Sequence, residues 1–559
     1  MYPGRSIRAV RANMSRVVAC LLLMATPAME ARADEIVQGV LQLRWGDAPP
    51  AARGTPRAAH FEAWLDAGPD RRYRLDAAQA RRAAGDLYAL ANRRVAVAYR
   101  APARVKAGVK AGAAATVPVQ SAPEISAIVA ADLAPARTMA RGDVVGARTV
   151  TPLTGSTRWV TVMCKFADVP TEQKSRAFFQ AQYGDAPGQL GHYWSDVSYG
   201  RIDLAGSTAH GWYTLPRTRA SYLSVVNGRT KADLSQLFAD CTALADADVD
   251  FRGAQGINLM FNTELDGSAW GGGACGTLDG SYQCTRATWN PPWAFSNLAP
   301  LAHEMGHGYG LPHSDNTDGD GDTYDNPWDL MSDAWRNAVS DATHGLLPKQ
   351  LNMAQRDRLG WVGAANKQII AADNASTHDV MLAWAGGAAT DATQMLVLSL
   401  STQPDPYRTV VYVLEARRRH GSYDGKLAGD AVILHVLEDY GIARSIDTDT
   451  PVADLSSNEG SMLRAGETWR TPDERHWVEV VSMTASGFLV RVGPRPRAMS
   501  TPSQVLVRSN VSAAQAATPS VRTPVPPAAP KSVRQARART CEVLPRVLRL
   551  PTLCAVLAR

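Results

Sequence analysis

The chain has 559 residues, enough for several folding units rather than one. A hydrophobic fraction of 45%, with 14 Trp and 16 Tyr, excludes a wholly disordered chain and allows sizeable cores. The net charge of +6 sits at the ends: residues 495–559 carry +10 and residues 1–33 carry +4, so residues 34–494 sum to −8, which argues against a nucleic-acid-binding middle.

In chain order, Arg5, Arg8, Arg11 and Arg16 precede a short apolar run over residues 17–24, and Ala31-Arg32-Ala33 offers a small-x-small cleavage site before Asp34. Residues 1–33 therefore read as a signal peptide, and the remainder as an exported protein, extracellular or periplasmic. No later stretch has the roughly 18 apolar residues of a membrane span. Cys20 leaves with the signal, so Cys164, Cys241, Cys275, Cys284, Cys541 and Cys554 form an even set for an oxidising compartment. Cys275 and Cys284 flank a Gly-containing loop and are expected to pair. A Cys164–Cys241 bridge is an option by elimination, and spacing does not fix the connectivity.

Residues 34–100 read as a small α+β or barrel-like unit, with strands at 36–45 and 95–99 and a helix at 76–91. Residues 101–150, rich in Ala, Val, Pro and Arg, read as a linker. A unit and linker placed ahead of a larger domain suit either a propeptide or an accessory domain. Residues 151–365 alternate strands (159–166, 202–204, 256–262) with helices (188–197, 231–245), an α+β pattern. The 256–262 strand is a candidate sheet edge for an extended ligand, or else a plain central strand. Residues 366–494 show only strands with turn punctuation, a C-terminal all-β, sandwich-like domain. Residues 495–559 read as a basic, Pro/Ala-rich disordered tail.

The chemistry concentrates in His303-Glu304-Met305-Gly306-His307-Gly308-Tyr309-Gly310-Leu311-Pro312-His313. On a helix, residues four apart share a face, so His303 and His307 can reach one metal ion. Glu304 lies about 100° round the same turn, close enough to act on a water without ligating. Gly310 can take positive φ, end the helix and let the chain bring His313 in as a third ligand. Three imidazoles with a fourth position left to water make a catalytic zinc site, whereas closed structural sites are more often Cys-rich. By chance the five-residue core of this motif occurs in roughly one chain in a hundred of this size, and the eleven-residue form in about one in a hundred thousand. Met331, in Trp328-Asp329-Leu330-Met331-Ser332, would by itself read as a core Met in a tight turn, but it stands where the metzincins, which the motif resembles, place a turn methionine beneath the ligands.

These residues resemble the metzincin clan of zinc peptidases, and within it the gametolysin and immune-inhibitor-A-like secreted peptidases. The likeness extends to Tyr193-Trp194-Ser195-Asp196-Val197-Ser198-Tyr199-Gly200, to Gly211-Trp212-Tyr213-Thr214-Leu215-Pro216, and to Tyr412-Val413-Leu414-Glu415-Ala416-Arg417 with Tyr423-Asp424. It covers roughly residues 155–492 and is strong only at the zinc motif. Immune-inhibitor-like members use an acidic third ligand, so His313 favours the gametolysin side. The resemblance implies a multidomain protein with a metzincin-like α+β catalytic domain, acting as a zinc-dependent endopeptidase on protein or glycoprotein substrates with Glu304 as general base. Many metzincins carry a Tyr two residues after the Met. Here that position is Asp333, so no Tyr is assigned to stabilise an oxyanion. No cysteine switch can keep such an enzyme latent, because no Cys lies between Asp34 and Trp159.

Between His313 and Met331 runs an acidic loop in which Asp318, Asp320 and Asp322 alternate with glycines. Such carboxylates suit a hard cation such as Ca²⁺, although the loop is not an EF-hand and equally reads as a plain acidic loop. Two other readings stand beside the endopeptidase: a protease specialised for glycosylated substrates that docks through the β module, and a non-catalytic binding protein retaining a structural zinc.

Overall fold

The computed structural model describes residues 35–50, 59–100, 124–132, 151–371, 376–387, 391–399, 410–438, 441–448 and 460–494. The expected signal peptide, the basic tail, Cys541 and Cys554 lie outside them.

The N-terminal segment contributes β1 (Glu35–Asp47), β2 (Ala59–Asp66), β3 (Arg72–Leu75), α1 (Ala77–Ala84), β4 (Arg94–Arg100) and β5 (Glu124–Ala130). The next segment adds β6 (Trp159–Lys165), α2 (Leu190–Val197), β7 (Thr208–Thr214), α3 (Leu234–Ala245), β8 (Gly256–Phe261), β9 (Ala269–Leu278), β10 (Ser281–Asn290) and α4 (Leu298–Gly308). The ten strands form one sheet in the order β3-β2-β1-β9-β10-β8-β6-β7, and β4 pairs with β1 and β5.

Side-chain alternation on β6 assigns the two faces of the sheet. Trp159 and Met163 join a core with Tyr193 and Trp194 of α2 and with Leu301 and Met305 of α4. Val160, Val162 and Cys164 join a second core with Leu237, Phe238 and Cys241 of α3. A disulfide between Cys164 and Cys241 ties β6 to α3, and a second joins Cys275 to Cys284 across the β9–β10 hairpin, where they are register partners. At the tip of that hairpin Asp279 (φ 48°) and Gly280 (φ 74°) take the two positive-φ positions that a tight hairpin turn requires.

The structure decides or changes three sequence expectations. First, of the two readings of β8, the plain central strand holds: it pairs in parallel with β10 on one side and β6 on the other. Its unbroken apolar run is the mark of a strand buried on both faces. Second, the N-terminal unit, which has a core of its own, shares a sheet with the next segment, because β1 pairs antiparallel with β9. Third, β5 lies inside the stretch read as linker, with Ile125 and Ile128 buried against the N-terminal core. The helix expected over 76–91 stops at Ala84, because Gly85 at φ 70° turns the chain, and a short 3-10 turn, Tyr88–Leu90, follows.

The C-terminal residues form two further sheets. One runs in the order Asp315–Asn316, Ile442–Ser445, Ala431–Glu438, Val411–Arg417, Met395–Ser399, Lys367–Ala371. The other runs His378–Ala383, Gly487–Gly493, Trp477–Met483, Thr468–Arg470. Leu396, Leu414 and Leu434 of the first share one core with Leu382, Val478 and Val490 of the second, as in two-layer β packing. Among the described residues, no helix is long and apolar enough to cross a membrane.

Candidate metal centre

The chemistry is positioned by α4, all eleven of whose residues are buried. Its C-terminus is closed locally. Gly310 sits at φ 89°, its N–H donates to His307 O, and the Leu311 N–H donates to Gly306 O. This is the glycine termination that the motif implies, and it carries His313 back toward the helix. The Ser314 N–H then donates to Met331 O at 3.1 Å, and the Ser314 hydroxyl donates to Asp329 Oδ2 at 2.6 Å. Met331 is buried with its sulfur against Gly306, where a Cβ would stand only 2.5 Å away. The turn methionine thus underlies the helix that bears the two leading histidines. Behind it, Arg417 donates to Trp328 O and pairs with Asp424 at 2.8 Å, so the β module braces the same turn.

The three imidazoles converge. Nε2 of His307 lies 3.1 Å from Nε2 of His303 and 3.1 Å from Nε2 of His313. His303 Nδ1 donates to Leu330 O and His307 Nδ1 donates to Leu311 O, each at 2.7 Å. A carbonyl can only accept, so each Nδ1 carries a proton and each Nε2 faces the shared centre. Burial lowers the His307 pKa to about 3, which keeps that ring neutral.

Sequence reasoning left the fourth side of the cluster to water; in the structure Asp47, the last residue of β1, lies beside the three imidazoles. Asp47 Oδ1 is 2.7 Å from His313 Nε2, and Oδ2 is 3.4 Å from His303 Nε2 and 3.3 Å from His307 Nε2. Asp47 is buried, and among the described residues its Oδ2 has no hydrogen-bond partner. Three convergent nitrogens and one carboxylate, each offering a ligand atom within 4.8 Å of the others, form a cluster that could hold a metal ion. The signals that could have pointed to Asp47 are the run Gly271-Gly272-Gly273 and Gly46, glycines that allow two backbones to close on each other.

Glu304 is buried beside the cluster, and among the described residues its Oε2 is unpartnered. Burial first, and the Asp47 carboxylate second, push its pKa well above the usual carboxylate range. Tyr324 was also missed. Its hydroxyl donates to Asp47 Oδ1 at 2.6 Å, and its ring centroid lies 5.3 Å from that of His313. Asp333, at the position where many metzincins carry a Tyr, is instead the residue whose carbonyl accepts from Lys349 Nζ at 2.6 Å.

In the acidic loop, Asp318, Asp320 and Asp325 bring one oxygen each to within 4.8 Å of one another. Asp325 thus replaces Asp322 in the expected trio, while Asp322 Oδ1 accepts from the Tyr324 N–H at 2.9 Å. Asp325 is buried, its Oδ2 has no partner among the described residues, and burial together with Asp318 and Asp322 raises its pKa to about 7.

No protein-family model matches the chain, and no curated protein matches its sequence.

Proposed function

We propose that the chain is a secreted zinc-dependent endopeptidase of the metzincin type, with His303, His307 and His313 holding the metal and Glu304 as general base. The observation that carries this reading is the convergence of three imidazole Nε2 atoms, those of His303 and His307 on buried rings, next to an unpartnered buried carboxylate. Bound zinc supplies Lewis-acid polarisation of a carbonyl and makes water acidic near neutral pH. Glu304 accepts the proton of the attacking water and passes it to the leaving amine nitrogen. Tyr324 donates to Asp47 Oδ1, so a carbonyl oxygen taking the place of that carboxylate would meet the same hydroxyl donor.

A closed set of four protein ligands is the pattern of a structural zinc. Two features favour a covered catalytic site instead. A structural site has no use for a buried, unpaired Glu304. The fourth ligand also comes from a strand with its own core, added to the outside of the catalytic sheet. The glycoprotein reading gains no support: Ile369, Met381 and Met483 are the large exposed apolar residues of the β module among the described residues, and none is aromatic. We assign the acidic loop a hard cation such as Ca²⁺, on the buried, unpaired Oδ2 of Asp325.

A mixed peptide library incubated with the secreted protein, with and without a zinc chelator, tests the hydrolase. Chelator-sensitive cleavage supports it. Cleavage that survives metal removal, or none even after Asp47 is replaced by Ala, overturns it.

A further inference from the structure

Two of the three candidate metal ligands are held through their own rings. His303 and His307 both ride on α4, and each donates from Nδ1 to a backbone carbonyl. His313 has neither support. It lies beyond the end of the helix, and among the described residues the polar contacts of its ring are all at Nε2. Its placement therefore falls to the main chain, which is gripped on both sides. On one side Gln355 donates from Nε2 to Pro312 O at 2.8 Å. On the other the Ser314 hydroxyl donates to Asp329 Oδ2 at 2.6 Å.

Both grips lead back to one residue. Asn352 donates from its backbone N–H to Asp329 Oδ1 at 3.1 Å and from Nδ2 to Asp329 Oδ2 at 2.9 Å. Its own Oδ1 accepts the Gln355 N–H at 2.8 Å, capping the short helix Met353–Arg358 that carries Gln355. Asp329, Asn352 and Gln355 are all buried, so breaking one of these bonds leaves a polar group unsatisfied away from water. The same segment is tied from behind to the β module. The Gln350 N–H donates to Asp424 Oδ1 at 3.1 Å and the Met353 N–H to Glu415 Oε2 at 2.6 Å, and Arg417 pairs with both carboxylates.

We propose that Asp329 and Gln355 are positioning residues for His313, fixing the chain on either side of it so that its imidazole meets the other two at the metal. This rests on the metal centre proposed above. Groups behind a metal ligand set its orientation, and losing one typically costs about 10- to 100-fold in metal affinity. Here the hold acts on the backbone of the ligand rather than on its ring. Because the segment is anchored on Glu415 and Asp424, the β module shares in that hold.

The test uses the full chain loaded with Co²⁺. Ser314→Ala removes the grip on Asp329, and Gln355→Leu removes the grip on Pro312 at little change in volume. Both variants are expected to release cobalt to a chelator about tenfold faster or more than the wild type, with a shifted visible spectrum. Val490→Ala, in the core of the β module, is the stability control. It should lower the urea midpoint and leave cobalt release and spectrum as in the wild type. Release rates and spectra of Ser314→Ala and Gln355→Leu that match the wild type overturn the proposal and leave the metal centre standing. So does a Val490→Ala protein that releases cobalt as fast as they do, since lost stability alone would then account for the effect. A wild-type chain that binds no metal overturns both readings, which separates the two failures.

Discussion

The indole of Trp45 lies parallel to the imidazole of His307, with ring centroids 4.6 Å apart and planes 5° apart. Trp45 is buried, with Phe61 and Tyr88 packed against its other sides. It joins the N-terminal core to the metal centre, two residues before Asp47. Trp45→Ala should lower the stability of the full chain by about 3–5 kcal/mol in urea unfolding, with metal content unchanged. A loss near zero would show that the stack carries no packing.

Glu304 ligates nothing in this account, so Glu304→Gln should keep one zinc per chain. In the Asp47→Ala background it should lower peptide cleavage by on the order of 10²–10⁴-fold, the span expected for a general base. Metal analysis alongside cleavage rates checks this. Loss of zinc on the substitution would make Glu304 a ligand instead.

Tyr324→Phe removes the hydroxyl now resting on Asp47 Oδ1. In the same background, kcat should fall by about 10²-fold while KM stays within a few-fold, as for a donor that acts on the transition state. An effect confined to KM would assign Tyr324 to substrate binding.

His435, on the strand Ala431–Glu438, is fully buried, and among the described residues neither ring nitrogen has a hydrogen-bond partner. Burial lowers its pKa from 6.5 to about 4. Between those values the unfolded chain binds a proton that the folded chain refuses, so stability falls as pH falls through this window and levels off below it. His435→Leu should remove about 3 kcal/mol of that acid-dependent loss. Unfolding measured from pH 7 to pH 4 checks it, and profiles that run parallel for the two proteins would refute it.

Calcium should raise the melting temperature of the full chain by a few degrees, through binding to the folded state alone. Asp325→Asn should abolish the rise without altering zinc content. An equal rise in both proteins would remove Asp325 from the site.

The helix that carries His303 and His307 was legible because its geometry is local. Residues four apart on one helix must share a face, and a glycine three residues after the second histidine must end the helix. Asp47 was not legible, because it reaches the centre only through the pairing of β1 with β9, and no local spacing encodes which strand adds to which edge. The β8 strand shows the same limit from the other side: its apolar run gave the strand, while its place between β10 and β6 came from topology. Glu124–Ala130 hid in Ala-rich surroundings, where two isoleucines three residues apart carry little periodic signal. Asp325 was passed over for Asp322 because even spacing along the loop says nothing about which carboxylate turns inward.

X-ray absorption at the zinc edge of the purified full chain tests the central claim most directly. The account requires one zinc per chain, bound by three imidazole nitrogens and one oxygen at about 2.0–2.2 Å, with the metal lost in His307→Ala. A chain purified without metal from zinc-replete medium, or a zinc bound by fewer than three imidazoles, would contradict it.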